Sequence, residues 1–377
     1  MRATGRKLFL VGAFRDDALA RVSEEMLPLG VATAIVRRCE EAPEALASAE
    51  PLAIVVQMDA PGAEGTYGYL RGQARFAQVP LFGIPGERND LAFTELFSWG
   101  GDDLVSLSSP QSLTRRLRPL AARPPTTASG EWSAAQGAAI VASGDPRWRS
   151  VMGRALHNGG FIVRFVVSAD DLERESAAEG VRLVVAVDDL EPAAALARAR
   201  ERGSNAAWVV VVPPKKMAAM HAATAPFPRV SVADGFAPPE NVLFLSNELL
   251  NQRGVDKRAS ARLLYGTTVA FRVAGRDEDE IGFSYNISAG GVYVRTLAPL
   301  EAGQDVWLEM WPPRSERRVR LAGKVAWRRA YGPQERATVP AGFGVQITDG
   351  LAGDFDRWRA GYDAFAQSML GARAAAK

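Results

Sequence analysis

One pattern occurs twice in the sequence, and this internal repeat is the feature that most limits the folds open to the chain. Short apolar runs, such as residues 8–14 and 52–56, alternate with stretches of helical periodicity, such as residues 91–99. The alternation starts again at residues 138–142, after a turn-forming stretch at 124–130. Apolar runs that alternate with helical segments predict βαβ units and a parallel sheet. We therefore expect two copies of one α/β domain.

The second copy has the apolar runs of strands that are buried on both faces of a parallel sheet, at residues 183–187 and 208–212. Residues 147–156 predict a helix, with Asp145 and Pro146 as its N-cap and first-turn residues. Residues 241–245 predict the last strand of this domain.

Beyond residue 254 the pattern changes to strand-like runs that are separated by turn residues. Short strands at this spacing predict an antiparallel barrel or sandwich. The runs are residues 267–272, 281–285, 291–296, 305–310, 319–327 and 342–347. Large apolar residues then recur at spacings of three and four, which predicts a helix packed on the barrel. These residues are Phe355, Trp358, Tyr362, Phe365 and Met369.

These patterns divide the chain into three folded parts and a final helix. We expect two flavodoxin-like α/β domains with parallel sheets, followed by an antiparallel six-stranded β-barrel and a C-terminal helix. The predicted boundaries are 1–122 for the first α/β domain, 123–136 for a linker, 137–250 for the second α/β domain, 251–257 for a second linker, 258–350 for the barrel, 351–370 for the helix and 371–377 for a tail.

Composition excludes several classes of function. The 45 basic and 43 acidic residues leave a charge of +2, which does not favour binding of nucleic acid through bulk charge. A single cysteine, Cys39, allows no disulfide framework or thiolate metal cluster, and two histidines supply zinc chemistry poorly. No apolar run reaches the ~18 residues of a membrane span. We expect a cytoplasmic protein without enzymatic activity, metal or cofactor.

Two motifs point to a ligand site in the last domain. Arg258 and Arg262 lie four residues apart just before the first barrel strand, and Asn286, Ser288 and Gly291 join two later strands. This pair resembles the signature of the PilZ domain family, R-x-x-x-R followed by [D/N]-x-S-x-x-G, over roughly residues 255–350. The resemblance implies a six-stranded barrel that binds cyclic di-GMP through these five residues.

The residue types suit this ligand, which has two guanines and two phosphodiester charges. An arginine fork can donate two hydrogen bonds to guanine O6 and N7, and its plane can stack on a purine. The Asn286 oxygen can accept from a guanine N–H, Ser288 can bond the base or the sugar-phosphate, and Gly291 permits close approach of the ligand.

Structural explanations exist for the same residues. Two arginines four apart commonly form a solvated face, and Asn-x-Ser is a common turn composition. Residues 317–320 and then Lys324, Arg328 and Arg329 form a basic stretch. It predicts an exposed strand face, with an acidic partner or a wall of the nucleotide site as the functional alternatives.

The two repeats resemble receiver domains of response regulators, but the positions that carry the phosphotransfer chemistry are changed. A receiver needs an acidic pair, an acceptor aspartate, a hydroxyl and a lysine at the ends of its strands. The first repeat offers Gly12, Ala13, Gln57, Pro85 and Leu107 at these positions. The second offers Ser143, Gly144, Val187, Pro213 and Ser246, with Asp188 one residue beyond the acceptor position as a predicted surface carboxylate.

Three functions follow as hypotheses. The first is a bacterial cyclic di-GMP effector that acts on motility or surface behaviour, with the receiver-like domains docking unidentified protein partners. The second is a scaffold whose barrel does not respond to nucleotide. The third, least favoured, is a phosphorylatable response regulator with Asp59, Asp188 or Asp189 as acceptor.

Overall fold

The computed structural model describes residues 6–76, 78–122, 136–235, 239–251, 260–276, 278–332 and 339–375. Its first domain is a five-stranded parallel sheet of order β2-β1-β3-β4-β5 with helices on both faces, the flavodoxin-like order. Its elements are β1 (Lys7–Val11), α1 (Asp16–Met26), β2 (Ala32–Val36), α2 (Ala42–Ala45), β3 (Pro51–Gln57), α3 (Ala63–Gly72), β4 (Leu81–Ile84), α4 (Asp90–Ser98), β5 (Asp103–Leu104) and α5 (Pro110–Ala121).

The second domain repeats this sheet, with order β10-β9-β8-β6-β7 read from the opposite edge. Apolar clusters fill both faces of each sheet, as the continuous apolar runs predict. Its elements are β6 (Ala138–Ala142), α6 (Pro146–Asn158), β7 (Ile162–Val166), α7 (Ala169–Ser176), β8 (Val181–Val187), α8 (Pro192–Glu201), β9 (Ala207–Val212), α9 (Met217–Thr224), β10 (Val230–Asp234) and α10 (Pro239–Asn251).

One strand prediction in this domain is wrong. Residues 241–245 lie in α10, and the fifth strand is β10 (Val230–Asp234), eleven residues earlier in the chain. Within α10 the buried residues Val242, Leu243, Leu249 and Leu250 recur at a spacing of seven, which suits one face of a helix. Ser246 therefore does not follow the last strand; its hydroxyl donates to the Val242 carbonyl inside the helix.

The third part is a closed antiparallel barrel, which confirms the six predicted strands. The order is β11-β13-β12-β15-β16-β17-β14, and the pairing of β13 with β14 closes the ring. The short strand β11, which pairs only with β13, adds a seventh strand that the sequence patterns do not predict. The strands are β11 (Leu263–Leu264), β12 (Thr268–Val273), β13 (Glu280–Ser288), β14 (Gly291–Arg295), β15 (Asp305–Met310), β16 (Val319–Arg329) and β17 (Gly342–Gly350).

The final helix, α11 (Asp354–Ala375), packs on the barrel as predicted. Trp358 is fully buried and Tyr362 is 4% exposed, and both belong to the core cluster of the barrel. Gly361 faces the Pro313 carbonyl so closely that a Cβ would lie 2.8 Å from its oxygen. The helix thus closes the interior of the barrel.

The first domain and the barrel share a core although the second domain separates them in sequence. Phe283 of β13 lies between Phe93 and Phe97 of α4, with ring centroids 5.0 and 5.7 Å away. Beside it, the buried Arg116 of α5 contacts Glu280 of β13 at 2.8 Å. The two core clusters of the second domain contain none of the described barrel residues.

Candidate ligand site on the barrel

The predicted Asn-x-Ser-x-x-Gly motif forms the hairpin that joins β13 to β14. Ser288 pairs with Gly291 across the turn, and Asn286 pairs with Tyr293 two residues further along the strands. Residues two apart on a strand point to the same face of a sheet. The structure therefore places Asn286, Ser288 and Gly291 together on one face at the end of this hairpin.

Asn286 is a nearly buried polar residue of the hairpin. It is 7% exposed, so its side-chain amide is largely removed from solvent. A polar amide at a nearly buried position on the same face as Ser288 suits a residue that binds a polar ligand.

The segment that carries the predicted arginines passes next to this hairpin. Leu263 pairs with Ile287 and Leu264 pairs with Asn286. The same antiparallel register brings Arg262, one residue before Leu263, toward Ser288. The Ser260 hydroxyl accepts a hydrogen bond of 3.2 Å from the Ala289 amide at the turn. Arg262 is half-buried and engaged in contacts of its own. Arg258 lies outside the described residues.

The C-terminal helix fixes the same segment from the other side. The Tyr362 hydroxyl donates to the Ala261 carbonyl at 2.6 Å, and the Tyr265 ring meets Phe365 edge-on at 5.7 Å. Burial raises the pKa of the Tyr362 hydroxyl, which therefore stays protonated and able to donate at neutral pH. The motif positions predict neither Ser260 nor Tyr362, since both act through long-range contacts.

Gly291 has a structural reason to be glycine in addition to the predicted one. A Cβ at this position would lie 2.8 Å from the Val345 carbonyl oxygen of β17 and 3.4 Å from the Ser288 hydroxyl. The neighbouring Gly290 has nothing within 4 Å of the same point. Gly291 thus permits close strand pairing and leaves the surface beside Ser288 without a side chain.

An aromatic cluster connects this hairpin to the second domain. Phe244 of α10 meets the Tyr285 ring edge-on at 6.1 Å, and Tyr293 stacks on Trp327 at 4.8 Å. Burial strongly raises the pKa of Tyr293, whose hydroxyl donates to the Pro340 carbonyl. Helix α10 therefore rests on the barrel directly beside Asn286.

The comparisons with known proteins agree with this geometry. The family model described as the PilZ domain matches residues 256–358. The barrel is a PilZ domain. The match includes both motifs of the sequence resemblance and extends into α11. No curated protein matches the chain.

Solved structures similar to this chain include proteins of two kinds. The Bacillus subtilis inhibitor of motility MotI/DgrA is 19% identical, with 30% of this chain and 53% of that chain covered and a TM-score of 0.24. A putative response regulator from Chloroflexus aurantiacus is 19% identical over 31% of this chain and 99% of its own, with a TM-score of 0.28. The chemotaxis response regulator CheY4 of Vibrio cholerae is 14% identical over 30% and 98%, with a TM-score of 0.27. This chain thus spans about half the length of MotI.

In the first of the domains that precede the PilZ domain, the loop after β1 is held by a side chain from the end of β3. The amide oxygen of Gln57 accepts from the Ala13 backbone at 3.0 Å. A Cβ at Gly12 would lie 2.6 Å from the Gln57 Cβ, so the two loops are in tight contact. The glutamine occupies the position predicted for a phosphoacceptor.

In the second domain a carboxylate from the end of β8 holds the corresponding loop, which follows β6. Asp189 accepts from the Gly144 amide at 2.6 Å and from the Ser143 hydroxyl at 3.3 Å. The adjacent Asp188 is ion-paired with Lys216 at 2.5 Å and its side chain is only 18% exposed. Asp188 is thus a partly exposed carboxylate, as predicted, with the exposed Lys216 ammonium beside it.

A buried charge cluster, which the sequence patterns do not reveal, joins all three parts of the chain. Asp102, just before β5, contacts Arg71 of its own domain at 3.0 Å and Arg154 of α6 at 2.9 Å. Arg154 also donates to the Tyr331 hydroxyl beyond β16. Burial alone would raise the pKa of Asp102, but the two guanidinium groups hold it below its usual value.

The described part of the chain offers little for other chemistry. It contains no group of three or more His, Cys, Asp or Glu side chains that could hold a metal ion. None of its helices combines the length and hydropathy needed to cross a bilayer. Cys39 is 3% exposed in the first core, and burial raises its thiol pKa, as expected of a packing residue.

Proposed function

We propose that this protein is a cyclic di-GMP-binding effector, without enzymatic activity or a cofactor, that acts in the cytoplasm through protein partners. The PilZ domain supports the ligand class. The observation that carries the proposal is the nearly buried amide of Asn286 on the same face as Ser288, with Arg262 entering beside them. Asn286 accepts from a guanine N–H, and Arg262 and Arg258 bind guanine edges and phosphates.

Ligand binding acts through the segment between α10 and the barrel. That segment carries both arginines, and its described end is fastened to the hairpin by Ser260 and to α11 by Tyr362. A ligand that binds both the segment and the hairpin favours the arrangement in which they are close. Because α10 lies next to Tyr285, this arrangement determines how the second domain sits on the barrel.

The receiver-like domains serve as docking domains without phosphotransfer. Gln57 cannot form an acyl phosphate, and Asp189 is engaged by the loop after β6. Asp188 faces an ammonium group rather than a group of metal-ligating carboxylates. We propose motility or surface behaviour as the regulated process, in accordance with the outputs that the family resemblance implies.

Calorimetric titration of the full-length protein with cyclic di-GMP tests the ligand. We expect binding at micromolar or lower concentration, weakened at least about tenfold in Asn286→Ala and in Arg262→Ala, because each loses a polar contact to the base or a charged contact. Arg317→Ala, an exposed arginine away from the hairpin, is the matched control and should bind like the wild type.

A nucleotide-independent scaffold is the second candidate, favoured by the extensive core that the first domain and the barrel form without any ligand. The same titration separates the two. No heat with wild-type protein at 100 times the expected dissociation constant would reject the effector and leave the scaffold. Equal affinity of wild type and both site variants would instead reject this site for the nucleotide.

A further inference from the structure

The basic stretch on β16 extends toward the ligand site across the outside of the barrel. We propose that Lys324 and Gln346 form the far side of the cyclic di-GMP site, with Lys324 binding a phosphate and Gln346 a base or ribose. This inference rests on the proposed function and adds two residues on neighbouring strands, outside both sequence motifs.

Strand register places these residues beside the hairpin. Gly291 of β14 pairs directly with Gln346 of β17, and Gln346 pairs with Lys324 of β16. Directly paired residues in antiparallel strands point to the same face. Adjacent strands lie ~4.8 Å apart, so the Lys324 Cα is about 10 Å from that of Gly291, within the reach of a lysine side chain toward a dinucleotide.

Burial shows that this shared face is the outer one. Gln346 and Lys324 are exposed, whereas their neighbours Val345 and Val325 are 4% and 1% exposed in the barrel core. Gly291, which has no side chain, leaves the surface open between Ser288 on one side and Gln346 on the other. One continuous row thus runs from Ser288 through Gly291 and Gln346 to Lys324.

Charge supports the assignment to a phosphate. The ligand carries two negative charges, and Asn286, Ser288 and Gly291 are neutral. Arg262 approaches from the β11 side, whereas Lys324 is the cation at the opposite end of the row. Its ammonium group lies 3.7 Å from the Asp305 carboxylate, with both side chains more than half exposed. An exposed pair at this distance is weak, so Lys324 can turn toward a phosphate at little cost.

The test is titration of cyclic di-GMP into full-length Lys324→Ala and Gln346→Ala. We expect each variant to bind about fivefold more weakly than wild type, and Lys324→Ala to lose part of the salt dependence of the dissociation constant. Lys324→Arg should stay within about twofold of wild type, since it keeps the charge. Arg320→Ala, on the same strand and outer face but paired with Glu309, is the control and should also bind like wild type.

The outcomes separate this inference from the function on which it rests. If wild-type protein does not bind cyclic di-GMP, the proposed function fails. If wild type binds and Arg262→Ala weakens it, but Lys324→Ala and Gln346→Ala match the wild type, only the extended site is overturned. Unchanged thermal unfolding of both variants ensures that a loss of affinity reflects the site and not the fold.

Discussion

At the scale of residues, the site combines nearly buried polar groups with small residues that the fold requires. The Asn286 side chain is 7% exposed, while Ser260 and Tyr362 use their hydroxyls to fix the neighbouring segment. The motif spacing predicts Asn286, Ser288 and Gly291. It cannot predict Ser260, Tyr362 or Lys324, because their places depend on strand register and on a helix that follows the barrel.

Gly291→Ala should destabilise the barrel by about 1–3 kcal/mol, because its Cβ would lie 2.8 Å from the Val345 carbonyl oxygen, in a pair of strands that cannot move apart freely. Urea unfolding measures the change. Gly290→Ala, which meets nothing within 4 Å, is the matched control and should change stability by less than about 0.5 kcal/mol. Equal losses in the two variants would show that strand contact is not the reason for Gly291.

At the scale of elements, alternating patterns predict strands well where one face is buried, and poorly where a run is apolar throughout. Strands β15 and β16 alternate buried and more exposed residues over most of their length, and all six predicted barrel strands are found close to their predicted places. Residues 242–245, which follow Asn241, are continuously apolar, and such a run is compatible with a buried strand or a buried helix. Their burial in α10 follows a helical period, and the true fifth strand, β10, is short and contains polar Ser231 and Asp234.

Helix α10 makes its described aromatic contact with the barrel through Phe244. The substitution Phe244→Ala should therefore weaken the contact between the second domain and the barrel, while both stay folded. We expect faster amide exchange in α10 and near Tyr285, and a lower affinity for cyclic di-GMP because the segment that follows α10 is less well positioned. Hydrogen exchange measured by mass spectrometry follows both regions. Phe227→Ala, an aromatic residue packed in the core of the same domain away from the barrel, is the control. Unchanged exchange near Tyr285 in Phe244→Ala would contradict the coupling.

At the scale of the whole molecule, one carboxylate joins the three folded parts. Asp102 compensates Arg71 and Arg154, and Arg154 reaches Tyr331, so the first domain, the second domain and the barrel meet at this point. Burial, and then the charge of Arg154, lower the pKa of Arg71 to about 10. The sequence shows two adjacent aspartates at 102–103, but neither their burial nor their partners can be inferred from that.

Asp102→Asn should lower the free energy of unfolding by about 3–5 kcal/mol at pH 7, because it leaves two buried cations without their counterion. In the wild type the folded pKa of Asp102 is depressed, so its stabilisation is present above its unfolded pKa near 4 and is lost as the pH falls through the lower folded pKa. Urea unfolding between pH 3 and 7 should therefore show a smaller loss of stability at low pH in Asp102→Asn. Glu301→Gln, an exposed ion-pair partner, should follow the wild type at every pH.

The shared core of the first domain and the barrel sets an order of events during synthesis. The first domain ends near residue 122, and Phe283, which covers Phe93 and Phe97, follows about 160 residues later. At translation rates of about 5–20 residues per second, this apolar face waits roughly 8–30 seconds for its cover to leave the ribosome. We therefore expect the nascent first domain to depend on chaperones, and chains that are truncated before the barrel to aggregate through this face.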